Sequence, residues 1–340
     1  MTKKHKPRSG SLSYYPRKRA AKETPSFTSF PGVNDAVVQP LNFFGYKAGM
    51  THVIGIDQHK KGTTFGQQVS VPATVVEVPP LKVYGVRVYG RDEKGLNVLG
   101  EVWAEKLDRN FSRKVKGEGK KKSEGKENEK KMEVPEKKKF DINSVKGKAV
   151  KARLLVHTQP HLTGIGKKKP ELSEIELSGK VEEQLNYAKE KIGKELSAKD
   201  VFKEHEFVDV KAVTKGKGIQ GVIKRFGVKM FRPKAKKRRV VGSIGPWNPS
   251  TVMWTVARPG QMGYHTRTEF NKKIIAIGKE NINPKAGFDN YGTVKNEYIL
   301  LKGSVPGALK RCVALRRAVR PMPGESPKIE EVQLIASRQN

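Results

Sequence analysis

Residues 42–57 read NFFGYKAGMTHVIGID, with aromatic and β-branched residues punctuated by Gly45, Gly49 and Gly55 and few charges among them. This texture predicts two short strands around a glycine-containing turn. It continues on the C-terminal side. VSVPATVVEV (69–78) is rich in β-branched residues, KVYGVRVYG (82–90) alternates with period two, and LNVLGEVWAE (96–105) follows as a further strand. VKARLLVHT (150–158) and LSEIELSG (172–179) predict two more. VEEQLNYAKEKIG (181–193) has apolar residues at 181, 185, 188 and 192, the spacing of an amphipathic helix. Strand character returns in EFVDVKAVT (206–214), NKKIIAIG (271–278), EYILLKGSV (297–305) and RCVALRRAV (311–319). Strands on both sides of the helix-bearing segment predict a mainly β fold with an α+β insertion. The reading is a discontinuous closed β-barrel, 41–80 and 197–340, interrupted by a module at 81–196.

Two segments lie outside that pattern. Residues 1–40 have no amphipathic period and carry Lys3, Lys4, Lys6, Arg8, Arg17, Lys18, Arg19 and Lys22 against Glu23 and Asp35, with Pro7, Pro16, Pro25 and Pro31 interspersed. They read either as a flexible tail or as a basic extension ordered by RNA, the second supported by Tyr14 and Tyr15 beside PRKRA as stacking faces among the charges. Residues 112–139, SRKVKGEGKKKSEGKENEKKMEVPEKKK, are low-complexity. With almost no apolar side chains they cannot bury enough surface to offset the entropy of ordering, and they read as a solvated insertion.

Charge carries the functional signal. The 340 residues have a formal net charge of +35 and a pI near 10.1, a balance that favours nucleic-acid or anionic-membrane partners. No run of eighteen apolar residues occurs, so a membrane span is not expected, and MTKKHKPRSGSLSYYPRKRA lacks the apolar core of a signal peptide. The single cysteine, Cys312, forms no internal disulfide or CxxC zinc knuckle; it fits a reducing cytosol and reads as a small buried hydrophobe. Between Val210 and Phe270 the charge is most lopsided, with fourteen Lys or Arg and one acid, Glu269. Like charges packed so closely repel one another unless a polyanion supplies the counter-charge. The stretch also holds Ile219, Val222, Phe226, Phe231, Ile244, Trp247, Val252 and Trp254, enough apolar surface to hold a shape. The candidate RNA contacts are Arg17, Lys18, Arg19, Lys215, Lys217, Lys224, Arg225, Lys229, Arg232, Lys234, Lys236, Lys237, Arg238, Arg239, Arg258 and Arg267. Two aromatic-ring residues join them. Trp247, in SIGPWNPS, is framed by turn residues and reads as the tip of a projecting loop, free to stack on a base or to fold back on its own limbs. His265, in GYHTRT, reads either as an RNA contact or as a packing residue, whereas Trp254, in TVMWTVA, reads as core.

Other chemistries find little support. Gly216 to Gly221 match GxGxxG after a strand, but VIKRFGVKMFRPK then offers a glycine, a proline and no helical face, and no acid stands at the spacing a dinucleotide ribose requires. No Walker sequence occurs, and kinase signatures are absent. His157 and His161 are four apart, but Pro160 and a strand context spoil a helical ligand pair. No nucleophile elbow or triad is visible. Neither a catalytic residue, a cofactor, a metal nor a small-molecule substrate is expected. The rivals to a structural RNA-binding protein are a general DNA-compacting protein and a nucleotide-dependent enzyme using the glycine motif.

YYPRKRA (14–20), FFGYKAGMTHV (43–53), VWAE (102–105), RLLVHTQP (153–160), AVTKGKGIQGVIKRFG (212–227), GSIGPWNPSTVMWTVARPGQMGYHTRT (242–268) and ILLKGSVPG (299–307) occur in order. With these blocks the chain resembles the universal L-three family of large-subunit ribosomal proteins, in its archaeal or eukaryotic form. The resemblance spans nearly everything except the Lys/Glu-rich insertion. It implies a translation-factor-type β-barrel with an inserted α+β module and long basic extensions, at 1–40 and at 215–270. It further implies a cytoplasmic structural protein of the large subunit that binds and organises its rRNA, supports early assembly and touches neighbouring ribosomal proteins, without forming a homo-oligomer. Family members send a tryptophan-tipped finger with a basic arm toward the peptidyl transferase centre; by motif match these are Trp247 and 229–239. Many eukaryotic members carry a histidine in the arm where this chain has Ala235, so no role of that histidine transfers.

Overall fold

The computed structural model describes residues 10–32, 37–58, 62–115, 147–234, 236–279, 282–322 and 329–335. Expectations for residues 1–9, for 116–139 of the charged insertion and for Ala235 lie outside these. The chain divides into two compact units, Met1–Glu23 with Val213–Arg267, and Thr24–Ala212 with Thr268–Asn340. It is mainly β, with few helices.

In the larger unit the strands are β1 (Asn42–Asp57), β2 (Gln68–Glu77), β3 (Leu81–Asp92), β4 (Gly95–Trp103), β5 (Ala149–His157), β6 (Leu172–Glu176), β7 (Glu195–Leu196) and β8 (Phe207–Val213). After β9 (Ile219–Gln220) and β10 (Gly260–Gln261), which belong to the smaller unit, follow β11 (Thr266–Gly278), β12 (Tyr298–Lys302), β13 (Cys312–Arg317) and β14 (Ile329–Ile335). One sheet orders its strands β13-β8-β11-β12-β2-β1-β14, and β13 also pairs with β1, so the pairings return to their start. A second sheet runs β4-β3-β5-β6, with β7 added to β3 through Leu81↔Leu196. The helix α1 (Val181–Lys191) packs on β5 and β3, burying Leu185 and Ala188 as the period demands. Its buried Gln184 accepts from the Ala152 N–H at 3.0 Å and donates to the Leu177 and Gly179 carbonyls, which satisfies an amide that would otherwise be costly in the core. One hydrophobic core runs through both sheets and includes Phe43, Tyr46, Val75, Leu154, Ile175 and Leu315; Cys312 is buried in it.

The quoted stretch at 42–57 corrects the expectation of two short strands. It is one sixteen-residue strand whose first residues pair with β13 and whose last pair with β14, while β2 runs along the other edge. Gly45 and Gly49 serve close approach, not a turn. A Cβ on Gly45 would stand 2.8 Å from the Glu77 carbonyl oxygen, and one on Gly49 2.6 Å from the Phe288 ring. The register shift between Lys47 and Gly49 is a bulge that bends the strand without ending it. Sequence reading also missed β14, where IEEVQLI follows a Pro/Gly-rich segment.

Two buried carboxylates pin this unit. Glu77, fully buried, accepts from the Tyr291 hydroxyl, the Lys295 and Asn296 N–H groups at 2.9 and 3.0 Å, and the Asn296 side-chain amide at 2.9 Å. It thereby fastens the chain before β12 to β2. Asp209 on β8 accepts from Arg316 Nε and Nη2 on β13, at 3.1 and 2.9 Å, and from the Asn271 N–H on β11 at 3.1 Å. A buried charge so fully hydrogen-bonded ties three neighbouring strands, and removing either partner would strand the other.

Candidate nucleic-acid interface

All eighteen residues singled out from the sequence fall within the smaller unit, although they come from two stretches of the chain, 17–19 and 215–267. Its base is a short ladder in which Gly260 and Gln261 pair with Gln220 and Ile219. The Lys217 N–H donates to the Met262 carbonyl at 3.0 Å, the Met262 N–H to Gly218 at 2.9 Å, and the Thr214 N–H to His265 at 2.9 Å. Gly263 makes this closeness possible. Its φ is +70°, and a Cβ there would lie 2.1 Å from the Lys215 carbonyl oxygen.

Beyond the ladder, α2 (Val222–Phe226) corrects the expectation that VIKRF has no helical face. Val222 and Phe226, four apart, are both buried, and Gly227 in the left-handed region ends the helix with its N–H on Ile223. A signal this short is hidden in sequence by the glycines on both sides. The motif Gly216 to Gly221 therefore does precede a helix, but one of five residues.

The N-terminal segment braces this base. The Ala20 N–H donates to the Tyr264 carbonyl at 2.8 Å. Arg17 stacks its guanidinium 4.5 Å from the Phe226 ring centre and 5.0 Å from Tyr15, and Arg267 lies 4.6 Å from the Tyr14 ring. Arg225 lies 5.2 Å from the Phe226 ring centre and gives its hydrogen bonds to backbone carbonyls: Nε donates to Gln261 at 3.0 Å, Nη1 to Arg258 at 2.8 Å and Nη2 to Arg17 at 3.4 Å. It joins three chain segments, a role that its charge in the sequence does not reveal.

Two open cavities result. One, of about 390 Å³, is lined by Arg17, Lys215, Lys217, Arg225, His265 and Arg267, together with Thr214, Gln261, Met262 and Gly263. The other, of about 720 Å³, is lined by Lys18, Arg19, Ala20, Gly216, Gly218, Gln261 and Tyr264. Neither has an acidic wall. Gln261 lines both and had no sequence signal, being neither charged nor aromatic. His265 donates from Nδ1 to the Lys18 carbonyl at 3.0 Å, and its pKa is lowered by burial and by the cations Arg267, Arg17 and Arg225.

From Gly227 onward the chain leaves this base. Lys229, Arg232, Lys234, Lys236, Lys237, Arg238 and Arg239 are exposed, and none forms an ion pair with a described residue. The Phe231 N–H donates to the Arg238 carbonyl at 3.1 Å, closing the basic arm into a loop. Trp247 is 92% exposed, at a turn where Gly245 has φ +146°. The expectation that Trp254 lies in the core is corrected: it is 64% exposed and meets Tyr15 edge-on, ring centres 5.0 Å apart. The apolar run around it belongs to no strand, so nothing is stacked above it to bury it. Met230, Phe231, Val240, Ile244, Val252 and Met253 are likewise exposed. Exposed apolar residues in such number, on a segment whose cations have no acid partner among the described residues, mark a surface made for a partner.

The described residues contain no group of three or more acidic, His or Cys side chains able to hold a metal ion. No helix among them is long and apolar enough to cross a membrane. A family profile described as "Ribosomal protein L3" matches residues 1–337. The chain is 47% identical over 342 residues to "Large ribosomal subunit protein uL3" of Methanocaldococcus jannaschii, covering 98% of this chain and 97% of that one. To the protein of the same description from Methanosphaera stadtmanae it is 48% identical over 329 residues, 94% of each chain. The corresponding protein of Archaeoglobus fulgidus is 45% identical over 329 residues, 94% of this chain and 93% of its own.

Proposed function

The chain belongs to the ribosomal protein L3 family, and from that premise we propose that it binds and organises the rRNA of the large ribosomal subunit. It is a structural protein, not an enzyme, of the cytoplasmic ribosome. The observation that carries the reading is the exposed segment from Gly227 to Trp254, whose cations have no acid partner among the described residues and whose Trp247 projects almost wholly into solvent. RNA phosphates supply the missing counter-charge, release condensed ions and let helices pack. Specificity rests on shape and stacking more than on base edges, because the deep major groove of RNA excludes side chains.

In this reading 41–80 and 197–340 form a translation-factor-type closed barrel, 81–196 an inserted α+β module, and 1–40 and 215–270 extensions that follow RNA. Trp247 is the tip of a finger directed toward the peptidyl transferase centre, and 229–239 its basic arm. Arg17, Lys18, Arg19, Lys215, Lys217, Lys224, Arg258, His265 and Arg267 hold the rRNA around its base, with Arg225 as their brace. Neighbouring large-subunit proteins complete the surroundings, and the protein joins early, while the RNA is still open. Sedimentation tests this. The tagged chain is expected to migrate with large subunits and to leave only at high salt; migration with DNA, or free of ribosomes at low salt, would overturn it.

A further inference from the structure

The 390 Å³ cavity at the base of the extension combines two chemistries that a phosphate site alone does not need. Its cations supply the first. Lys215 and Lys217 are exposed on its wall, Arg267 lies across it, and the buried Nε–H of Arg17 has no hydrogen-bond partner. Arg225 donates from Nε, Nη1 and Nη2 to carbonyls, which leaves two of its five N–H groups for a ligand.

The second chemistry is at His265. A carbonyl oxygen can only accept, so the 3.0 Å contact with the Lys18 carbonyl fixes the proton of the neutral ring on Nδ1. Nε2 then carries a lone pair and has no hydrogen bond to a described residue. Burial and the three neighbouring arginines lower the ring's pKa, which keeps it neutral at physiological pH. The cavity thus presents the Nε2 acceptor of His265 among cations, beside the neutral Thr214 and Gln261, and no carboxylate. A phosphate oxygen cannot donate to that acceptor. A hydroxyl can, and in a nucleic acid the hydroxyl nearest a backbone phosphate is the ribose 2′-OH.

We propose that this cavity takes one ribose-phosphate unit of an RNA strand, with the phosphate on Arg17, Lys215, Lys217 and Arg267 and the 2′-OH donating to Nε2 of His265, so that His265 distinguishes RNA from DNA. The proposal rests on the RNA-binding reading above and deepens it.

The test measures binding of the full chain, at one fixed salt concentration, to three ten-nucleotide uridine strands: ribose, 2′-deoxyribose and 2′-O-methyl. One hydrogen bond corresponds to a preference of about fivefold to tenfold for the ribose strand over both others. His265→Phe removes both the Nε2 acceptor and the Nδ1–H bond to the Lys18 carbonyl, so affinity for every strand falls, and the ribose preference is expected to drop below about twofold. His265→Gln keeps an acceptor at similar reach and should retain the preference, which also controls for damage to the base. An unchanged preference in His265→Phe, or a methylated strand bound as tightly as the ribose strand, would overturn the assignment. Displacement of the ribose strand by micromolar uridine 5′-monophosphate would instead identify a free nucleotide as the occupant and overturn the strand. Failure of all three strands to bind would count against the RNA-binding reading itself, an outcome distinct from unaltered discrimination.

Discussion

Gly263→Ala should loosen the base of the extension far more than Gly218→Ala, although the two glycines share the same backbone region. At Gly263 φ is +70° and an added Cβ would meet the Lys215 carbonyl oxygen at 2.1 Å and the Lys217 nitrogen at 3.1 Å. Both are backbone atoms, so no side chain can rotate away; carbon and oxygen normally stand about 3.3 Å apart, and one limb must move by roughly 1 Å. That shift breaks the bonds from Lys217 N–H to Met262 and from Met262 N–H to Gly218, which are 3.0 and 2.9 Å long. Two lost hydrogen bonds at about 1 kcal/mol each, with about 1 kcal/mol for a left-handed alanine, give about 3 kcal/mol. Gly218 has φ +65° and no atom within 4 Å of its added Cβ. Only the conformational cost of about 1 kcal/mol applies there. Amide hydrogen exchange reads the difference directly, with Met262 and Lys217 expected to exchange roughly a hundredfold faster in Gly263→Ala and only a few-fold faster in Gly218→Ala. Equal effects of the two substitutions would refute the close-approach argument, leaving only φ as the cause.

Trp247→Ala should leave thermal stability unchanged, since the ring is 92% exposed, yet weaken local rRNA binding by about 1–3 kcal/mol if it stacks on a base. Chemical probing of the rRNA indistinguishable from wild type would refute the stacking. Replacing Lys236 and Lys237 by alanine should reduce the slope of log affinity against log salt by roughly one to two units; an identical slope would remove those cations from phosphate contact. Glu77→Ala should destabilise the fold by about 3 kcal/mol or more, because four donors lose their acceptor in the core, and a denaturant melt checks it. Lys273 is almost fully buried, and burial with the nearby Lys302 lowers its pKa from 10.5 to about 8. A base that is harder to protonate when folded costs stability fully below pH 8, and that cost fades as pH rises to 10.5. Lys273→Met should therefore stabilise the fold at pH 7 by about 1 kcal/mol after allowance for screening, seen as a higher melting temperature, with the gain shrinking toward pH 10. A gain that is constant across that range would show that it came from packing alone.

The strands were largely legible because β-branched and alternating residues write a period of two into the chain, as β3 and β5 illustrate. The helix α1 was legible for the corresponding reason at period 3.6. What failed was punctuation. Glycines inside 42–57 looked like a turn, whereas they admit Glu77 and Phe288 from distant parts of the chain. Trp254 looked like core because local hydrophobicity says nothing about whether another element covers it. The cations of the interface could be counted but not sorted. Nothing local distinguishes Arg225, spent on three carbonyls, from Lys224, which is exposed beside it. The Asp209–Arg316 and Glu77–Asn296 links join residues 107 and 219 apart, so their partners are set by topology alone.

The ladder between Gln220 and Gly260 has a topological consequence distinct from any energy assigned to it. Both limbs of the extension pass through one gap, where paired backbones stand about 5 Å apart. Residues 221–259 therefore form one loop closed at its base, so the basic arm and Trp247 are tethered by both of their ends to a single point, and a chain cut within that loop would leave both new ends still held at the ladder.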